Sequence, residues 1–293
     1  MGYKPSPRPT FSKPTPIHRE DAVRHVWGDE EAGLVQDWIY VSSERIHAIV
    51  FGLPPGEAFR HSDSFRTVFA ADELLHVLQG TLVLANPETG EVVRAEPGDS
   101  VFFRRDTWHH GFSYGDDELR VLEFFAPPPS TGSSGAYART KPYLAESVYA
   151  DERVVGRSVG PAETPSFRLL HPGDATWRLD TGVLVGLLAS TEHLTVATLR
   201  VMPGQASADE SHAGDEFLYV TAGQLRVVVA GGVDAPLEPG AGFYVPAGVP
   251  HRYEASGPEI AEAIVGVAPD YLAGRGTCHK ASPHSVSERR LGH

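Results

Sequence analysis

The sequence predicts an all-β protein built from two tandem barrels. Three observations lead there. Short runs rich in β-branched and aromatic residues recur at roughly ten-residue intervals, separated by Gly, Pro, Asn and Asp turns. These runs fall into two blocks whose sequences repeat. Each block also carries Glu and His at matching places, so the repeat extends to residues that can bind a metal.

Residues 1–19, MGYKPSPRPTFSKPTPIHR, open the chain as a Pro-rich, basic arm. Proline fixes φ and removes a donor, so an extended segment is expected rather than a helix or a strand. The first barrel is expected over 20–126. Its strand signals are Ile46–Phe51, Leu74–Leu78, Thr81–Ala85, Glu91–Arg94, Ser100–Phe103 and Leu119–Phe125. Turn signals such as Pro54-Pro55-Gly56 and Pro97-Gly98-Asp99 divide them. Residues 127–167 begin with APPPSTGSSG and read as a linker between domains. The second barrel is expected over 168–271. Its signals are Thr176–Leu179, Val183–Leu188, Leu194–Val201, Phe217–Val220, Leu225–Val229, Gly242–Val245, His251–Glu254 and Ile260–Val267. Residues 272–293 form a polar tail without periodicity; Cys278, His279 and His284 there read as part of a disordered terminus.

Composition narrows the function. Of 293 residues, 41% are hydrophobic and 22% charged, which suits globular domains. The formal charge of −13 argues against nucleic acid or an anionic membrane as the main partner, since both need a basic face. The single cysteine rules out an internal disulfide and a thiolate metal cluster, which fits a cytoplasmic protein. No run is apolar for long enough to span a bilayer. No P-loop, dinucleotide fingerprint or nucleophile elbow occurs in its required context.

The repeat aligns Val41–Gly56 with Ala189–Gly204, Asp72–Leu84 with Asp215–Val227, and Glu96–Phe103 with Glu238–Val245. The last pairing sets His109 on His251. The first copy is longer by about five residues between Gly56 and Asp72.

In the second block Glu210, His212 and Glu216 are followed by His251 at the end of a Pro/Gly-punctuated hairpin. Residues two apart on a strand share a face, so Glu210 and His212 point the same way. Two imidazoles and two carboxylates suit one divalent ion and leave positions open for water, O₂ or substrate. The bland alternative is a set of solvated side chains at strand ends.

These segments resemble the two motifs of the cupin superfamily. The first motif reads Gly204…Glu210-Ser-His212-xxx-Glu216-xxxxxx-Gly223, and the second Gly240-xxxxx-Pro246-x-Gly248-xx-His251. The resemblance covers roughly 40–126 and 176–268 and implies a bicupin. Glu210 stands where the family usually has its first histidine, which shifts preference toward harder metals. In the first block Glu73, Gly80, Gly98 and His109 are kept, but Thr67 and Phe69 fall on the His-x-His positions. Two readings stand for that barrel: a three-ligand site of His61, Glu73 and His109, or a metal-free barrel kept for packing or dimerisation.

The resemblance implies a divalent metal cofactor, with Fe first and Mn, Ni, Zn or Cu as alternatives. It implies a small-molecule substrate and allows a homodimer. The activity expected is that of a metal-dependent oxidoreductase, a dioxygenase acting on a small oxygenated or aromatic metabolite. A non-redox isomerase or decarboxylase and a non-catalytic small-molecule-binding bicupin are the alternatives. Glu210 and Glu216 are the candidate catalytic bases. His110, Trp108, Arg104, Arg105, His76, Tyr219, Tyr244 and Tyr253 read as packing, rim or solvated residues.

Overall fold

A computed structural model describes residues 6–128, 133–150, 165–232 and 234–269. Strands dominate. In chain order they begin with β1 (Thr15–Ile17), β2 (Val23–Asp29), β3 (Gly33–Ser42), β4 (His47–Leu53), β5 (Ala58–Phe59), β6 (Asp72–Gln79) and β7 (Leu82–Ala85). Next come β8 (Val92–Ala95), β9 (Ser100–Phe103), β10 (His110–Ser113), β11 (Leu119–Ala126), β12 (Arg168–Leu170), β13 (Thr176–Asp180) and β14 (Val183–Ser190). The last are β15 (Thr195–Val201), β16 (Asp215–Ala222), β17 (Leu225–Val229), β18 (Asp234–Leu237), β19 (Gly242–Val245), β20 (His251–Ala255) and β21 (Ala261–Ala268). No helix among the described residues is long and apolar enough to cross a membrane.

Two compact units emerge. Among the described residues, the first comprises those within 6–8, 23–39 and 47–173, and the second those within 9–22, 40–46 and 174–269. In the first, a seven-stranded sheet of order β2-β3-β4-β11-β6-β9-β12 accompanies a four-stranded sheet, β5-β10-β7-β8. In the second, β13-β14-β15-β21-β16-β19-β1 accompanies β18-β17-β20. The two sheets of each unit enclose one core. Val35, Ile49, Phe51, Leu75 and Val121 belong to the first core, and Val183, Val185, Leu218, Val227 and Val265 to the second. Alternation produces this arrangement: along β17, Leu225, Val227 and Val229 are buried while the residues between them are less so.

Every strand signal read from the sequence corresponds to an observed strand, within a few residues. Others went unread. The Pro-rich arm supplies β1, which pairs with β19 so that Pro16 lies opposite Phe243. It is an edge strand, where a missing N–H is tolerated. β2 escaped notice because its sequence, VRHVWGD, is polar. The three-residue β12 closes the edge of the first sheet by pairing with β9.

The repeat extends to backbone detail. Gly80 and Gly223 end β6 and β16 at matching places with φ of +75° and +64°. A Cβ at either would lie 2.9 Å or less from the carbonyl oxygen of Glu118 or Ile260, so only glycine fits.

Candidate metal centres

In the second barrel β16 carries Glu216 and β20 begins at His251. Glu210 precedes β16 yet is locked to β20: its N–H donates to the His251 carbonyl at 2.8 Å, and the His251 N–H returns the bond at 2.9 Å. The Gly248 N–H donates to the His212 carbonyl at 2.6 Å, which ties the remaining ligand to the same hairpin. Four side chains therefore converge. His212 Nε2 lies 2.7 Å from Glu216 Oε2 and 3.8 Å from Glu210 Oε1. His251 Nε2 lies 3.4 Å from Glu216 Oε1 and 3.8 Å from Glu210 Oε1. His212, Glu216 and His251 are buried, and Glu210 is 9% exposed.

One donor atom from each of the four lies within 4.8 Å of the others. Opposite ligands of one ion at about 2.1 Å stand about 4.2 Å apart, so small adjustments would close the set on a divalent cation. The His251 ring is already oriented for this. Its Nδ1 lies 2.9 Å from the Val249 carbonyl, which places the proton there and leaves the Nε2 lone pair facing the carboxylates.

Two further residues shape the site. Tyr253, two residues after His251 and on the same face, places its hydroxyl 3.0 Å from His251 Nε2 and donates to Glu216 Oε1. Burial first, then the charges of Glu210 and Glu216, hold this phenol well above its usual range. Asp215 anchors the start of β16. It accepts hydrogen bonds from Ser43 Oγ and Tyr244 Oη, both at 2.8 Å, and from the Ala247 N–H at 3.1 Å, with Arg45 at 3.2 Å.

The first barrel keeps this frame but changes the ligands. The His109 N–H donates to the Thr67 carbonyl, and the Asp106 N–H to the Phe69 carbonyl. These are the counterparts of the bonds to Glu210 and His212, so Thr67 and Phe69 occupy those positions. Asp72 likewise accepts from the Arg105 N–H, as Asp215 does from Ala247. The extra residues of the first copy thus lie between Phe59 and Thr67, and they carry His61 out of the ligand set. Its ring instead meets His110, with Nδ1 2.5 Å from His110 Nε2, and its Nε2 lies 2.7 Å from the Leu144 carbonyl.

The residue that the structure sets beside Glu73 and His109 is Glu123, on β11. Glu73 Oε2 is 3.8 Å from His109 Nε2. Burial, then the charge of Glu123, pushes the Glu73 carboxyl well up. Burial and Asp37 do the same to Glu123. Burial alone raises Asp37 to about 8, and it lowers His109 to about 4.

The other singled-out residues find ordinary places. His76 faces away from Glu73 and meets Ser100 Oγ at 2.9 Å. Trp108 is buried against Val68 and Ala138. Arg104 pairs with Asp72 at 3.2 Å. His110 is more buried than a rim residue, held also by the Tyr149 hydroxyl. Cys278, His279 and His284 lie outside the described residues. Tyr253, read from the sequence as a packing or rim residue, instead lies beside the ligands, two residues after His251. Glu123 was missed, although it interrupts the apolar run VLEFF at the place where the second copy has Val265.

Two jelly-roll barrels, each with buried His and Glu converging from separate hairpins, define a two-domain protein of the metal-binding β-barrel class. The chain belongs to the cupin family: the model of the cupin domain matches residues 50–125 and 197–267. Solved structures with similar folds include oxalate decarboxylases. That of Lactobacillus farciminis, as a formate complex, is 15% identical, with 97% of this chain and 95% of that one covered at a TM-score of 0.63. One from Bacillus subtilis, described for its Mn(II) centres, is 15% identical over 90% and 79% at 0.62. A Pseudomonas aeruginosa protein described as glyoxylate-induced is 15% identical over 90% and 92% at 0.62. No curated protein matches the chain.

Proposed function

We propose that the protein is a metal-dependent dioxygenase whose C-terminal barrel acts on a small oxygenated or aromatic metabolite. The observation that carries this reading is the convergence of Glu210, His212, Glu216 and His251 within 4.8 Å inside the barrel. These four would hold the ion. Two carboxylates among four ligands favour Fe or Mn over softer metals. A bound ion of this kind supplies Lewis acidity toward substrate oxygens and, if redox-active, a route for O₂ chemistry.

The chain's own residues supply the rest. His212 and His251 sit in a buried wall that keeps bulk water off the reacting centre. Glu210, the most exposed of the four, is placed to take a proton from an arriving hydroxyl or enol. Tyr253 keeps its phenolic proton, donates it as a hydrogen bond to Glu216 Oε1, and can give it to a carbon or oxygen of the substrate.

That phenolic proton also supports a second reading, a decarboxylase or isomerase that needs no O₂, since such a reaction ends by protonating a carbanion. The oxalate decarboxylases of similar fold point the same way. Oxygen-electrode assays of Fe- and Mn-loaded protein against catechols, flavonols, diketones and hydroxy acids separate the two. The dioxygenase reading expects O₂ uptake in step with product. Full turnover under strict anaerobiosis would exclude it.

A further inference from the structure

We propose that the N-terminal barrel holds a second divalent-cation site, built from Glu73, His109 and Glu123. It is not a weakened copy of the C-terminal motif. The positions of Glu210 and His212 are occupied there by Thr67 and Phe69, and the replacement donor comes from the last strand of the barrel.

Register puts Glu73 and Glu123 on the inner face, and the His109 ring packs against Phe59 and Phe103 of the core. Glu123 pairs with Leu75 on β6 and with Ile49 on β4, and both partners are core residues. Phe125, opposite Glu73, is also in the core. One donor atom from each of Glu73, His109 and Glu123 lies within 4.8 Å of the others. His109 Nδ1 faces the Thr107 carbonyl at 3.2 Å, which leaves Nε2 turned toward Glu73.

The fold does not require these polar groups. By the repeat, Glu123 stands where the second barrel has Val265, and Asp37 where it has Val185; both valines are buried in that core. The first barrel therefore carries carboxylates at positions that its own duplicate fills with hydrocarbon. Asp37, Glu73 and Glu123 are all at most 6% exposed. Burying a carboxylate without compensation costs several kcal/mol or more, so such a cluster must take up protons or a counter-charge. Arg66 lines the cavity beside this cluster, but its guanidinium is bonded to Asp63 and to the carbonyls of Ala138 and Lys141.

A second observation points to a ligand. A cavity of about 140 Å³ opens against His109, Glu123, Asp37, His47 and Thr67. Asp37 Oδ1, His47 Nδ1, Thr67 Oγ1 and Glu73 Oε2 are buried and make no hydrogen bond to the protein. Buried polar atoms almost always have a partner. An ion with its own waters, in a cavity of this size, would give them one.

Manganese binding to the full chain tests the proposal, by isothermal titration and by electron paramagnetic resonance of bound Mn(II). The wild type should take up about two ions per chain. With the C-terminal site removed by Glu216→Ala and His251→Ala, about one should remain. Adding Glu123→Gln to that background should abolish the remaining ion. So should Glu123→Val, which installs the residue the second barrel carries and guards against a misfolded Gln variant; circular dichroism checks both. A chain that binds one ion in the wild type and none in the C-terminal variant overturns the second site and leaves the C-terminal reading intact. One ion in both contradicts the C-terminal site instead. An ion retained by both Glu123 variants removes Glu123 from the ligand set and overturns the proposal.

Discussion

Asp215→Ala tests how the C-terminal site is held in shape. The aspartate joins the strand that carries Glu216 to the hairpin that delivers His251, through bonds from Tyr244 and Ala247, and holds Ser43 of the β3–β4 turn as well. Truncation leaves two hydroxyls and one backbone N–H without their acceptor. Each such loss costs about 1–3 kcal/mol where water cannot reach. Tyr244 is buried, Ser43 is buried but keeps the Ile46 carbonyl at 3.4 Å as a second acceptor, and Ala247 is partly open, so one full loss and two smaller ones give about 2–4 kcal/mol. The Arg45 pair adds little, because that side chain is 47% exposed. Asp215→Asn keeps one acceptor oxygen and should lose about half as much. Guanidinium unfolding of the metal-free protein reads this as a lower midpoint for the transition of the second unit. A companion titration should show Mn(II) affinity for the C-terminal site reduced about 10–100-fold, as expected when the support of a ligand is removed. A change below about 0.5 kcal/mol with unaltered affinity would refute the account of Asp215.

Three other expectations follow from the same geometry. Glu216→Ala and His251→Ala should each lose the C-terminal ion by elemental analysis, whereas His110→Ala, in the other barrel, should keep it; equal loss in all three would undo the placement of that ion in the C-terminal barrel. Gly111→Ala would bring a Cβ to 2.3 Å from the Phe59 ring, so it should destabilise the first barrel by about 1–3 kcal/mol in thermal unfolding, and a neutral result would mean the ring moves freely. Burial, partly opposed by Asp99, lowers His76 from 6.5 to about 4. The unfolded chain then binds more protons between those values, so its stabilising share is present above pH 6.5 and is lost as pH falls toward 4, by up to about 3 kcal/mol. His76→Gln should flatten that part of the stability profile, and an unchanged slope would show that His76 is not the group responsible.

Much of this was legible in the chain because duplication made it so. Two copies of one pattern expose each other's departures, and alternation then says which residues face inward. That logic, with the resemblance to the cupin motifs, picked out Glu210, His212, Glu216 and His251, which the structure brings together. It failed for His61, since the extra residues could be set before or after it; only the bond from His109 to Thr67 shows that they include it. It failed for Glu123 because a lone carboxylate in an apolar strand was read as part of the strand rather than as a substitution for Val265. β1 and β12 could not be found from periodicity, since three residues carry none. Their pairing is decided by the free edges of β19 and β9.

The central claim, a metal centre in the C-terminal barrel, is tested most directly by anomalous diffraction from crystals grown with Mn(II). The account predicts an anomalous peak among the side chains of Glu210, His212, Glu216 and His251, about 2.0–2.3 Å from their donor atoms. A well-ordered barrel with no peak at that position, after loading with Mn(II) and again with Fe(II), would contradict it.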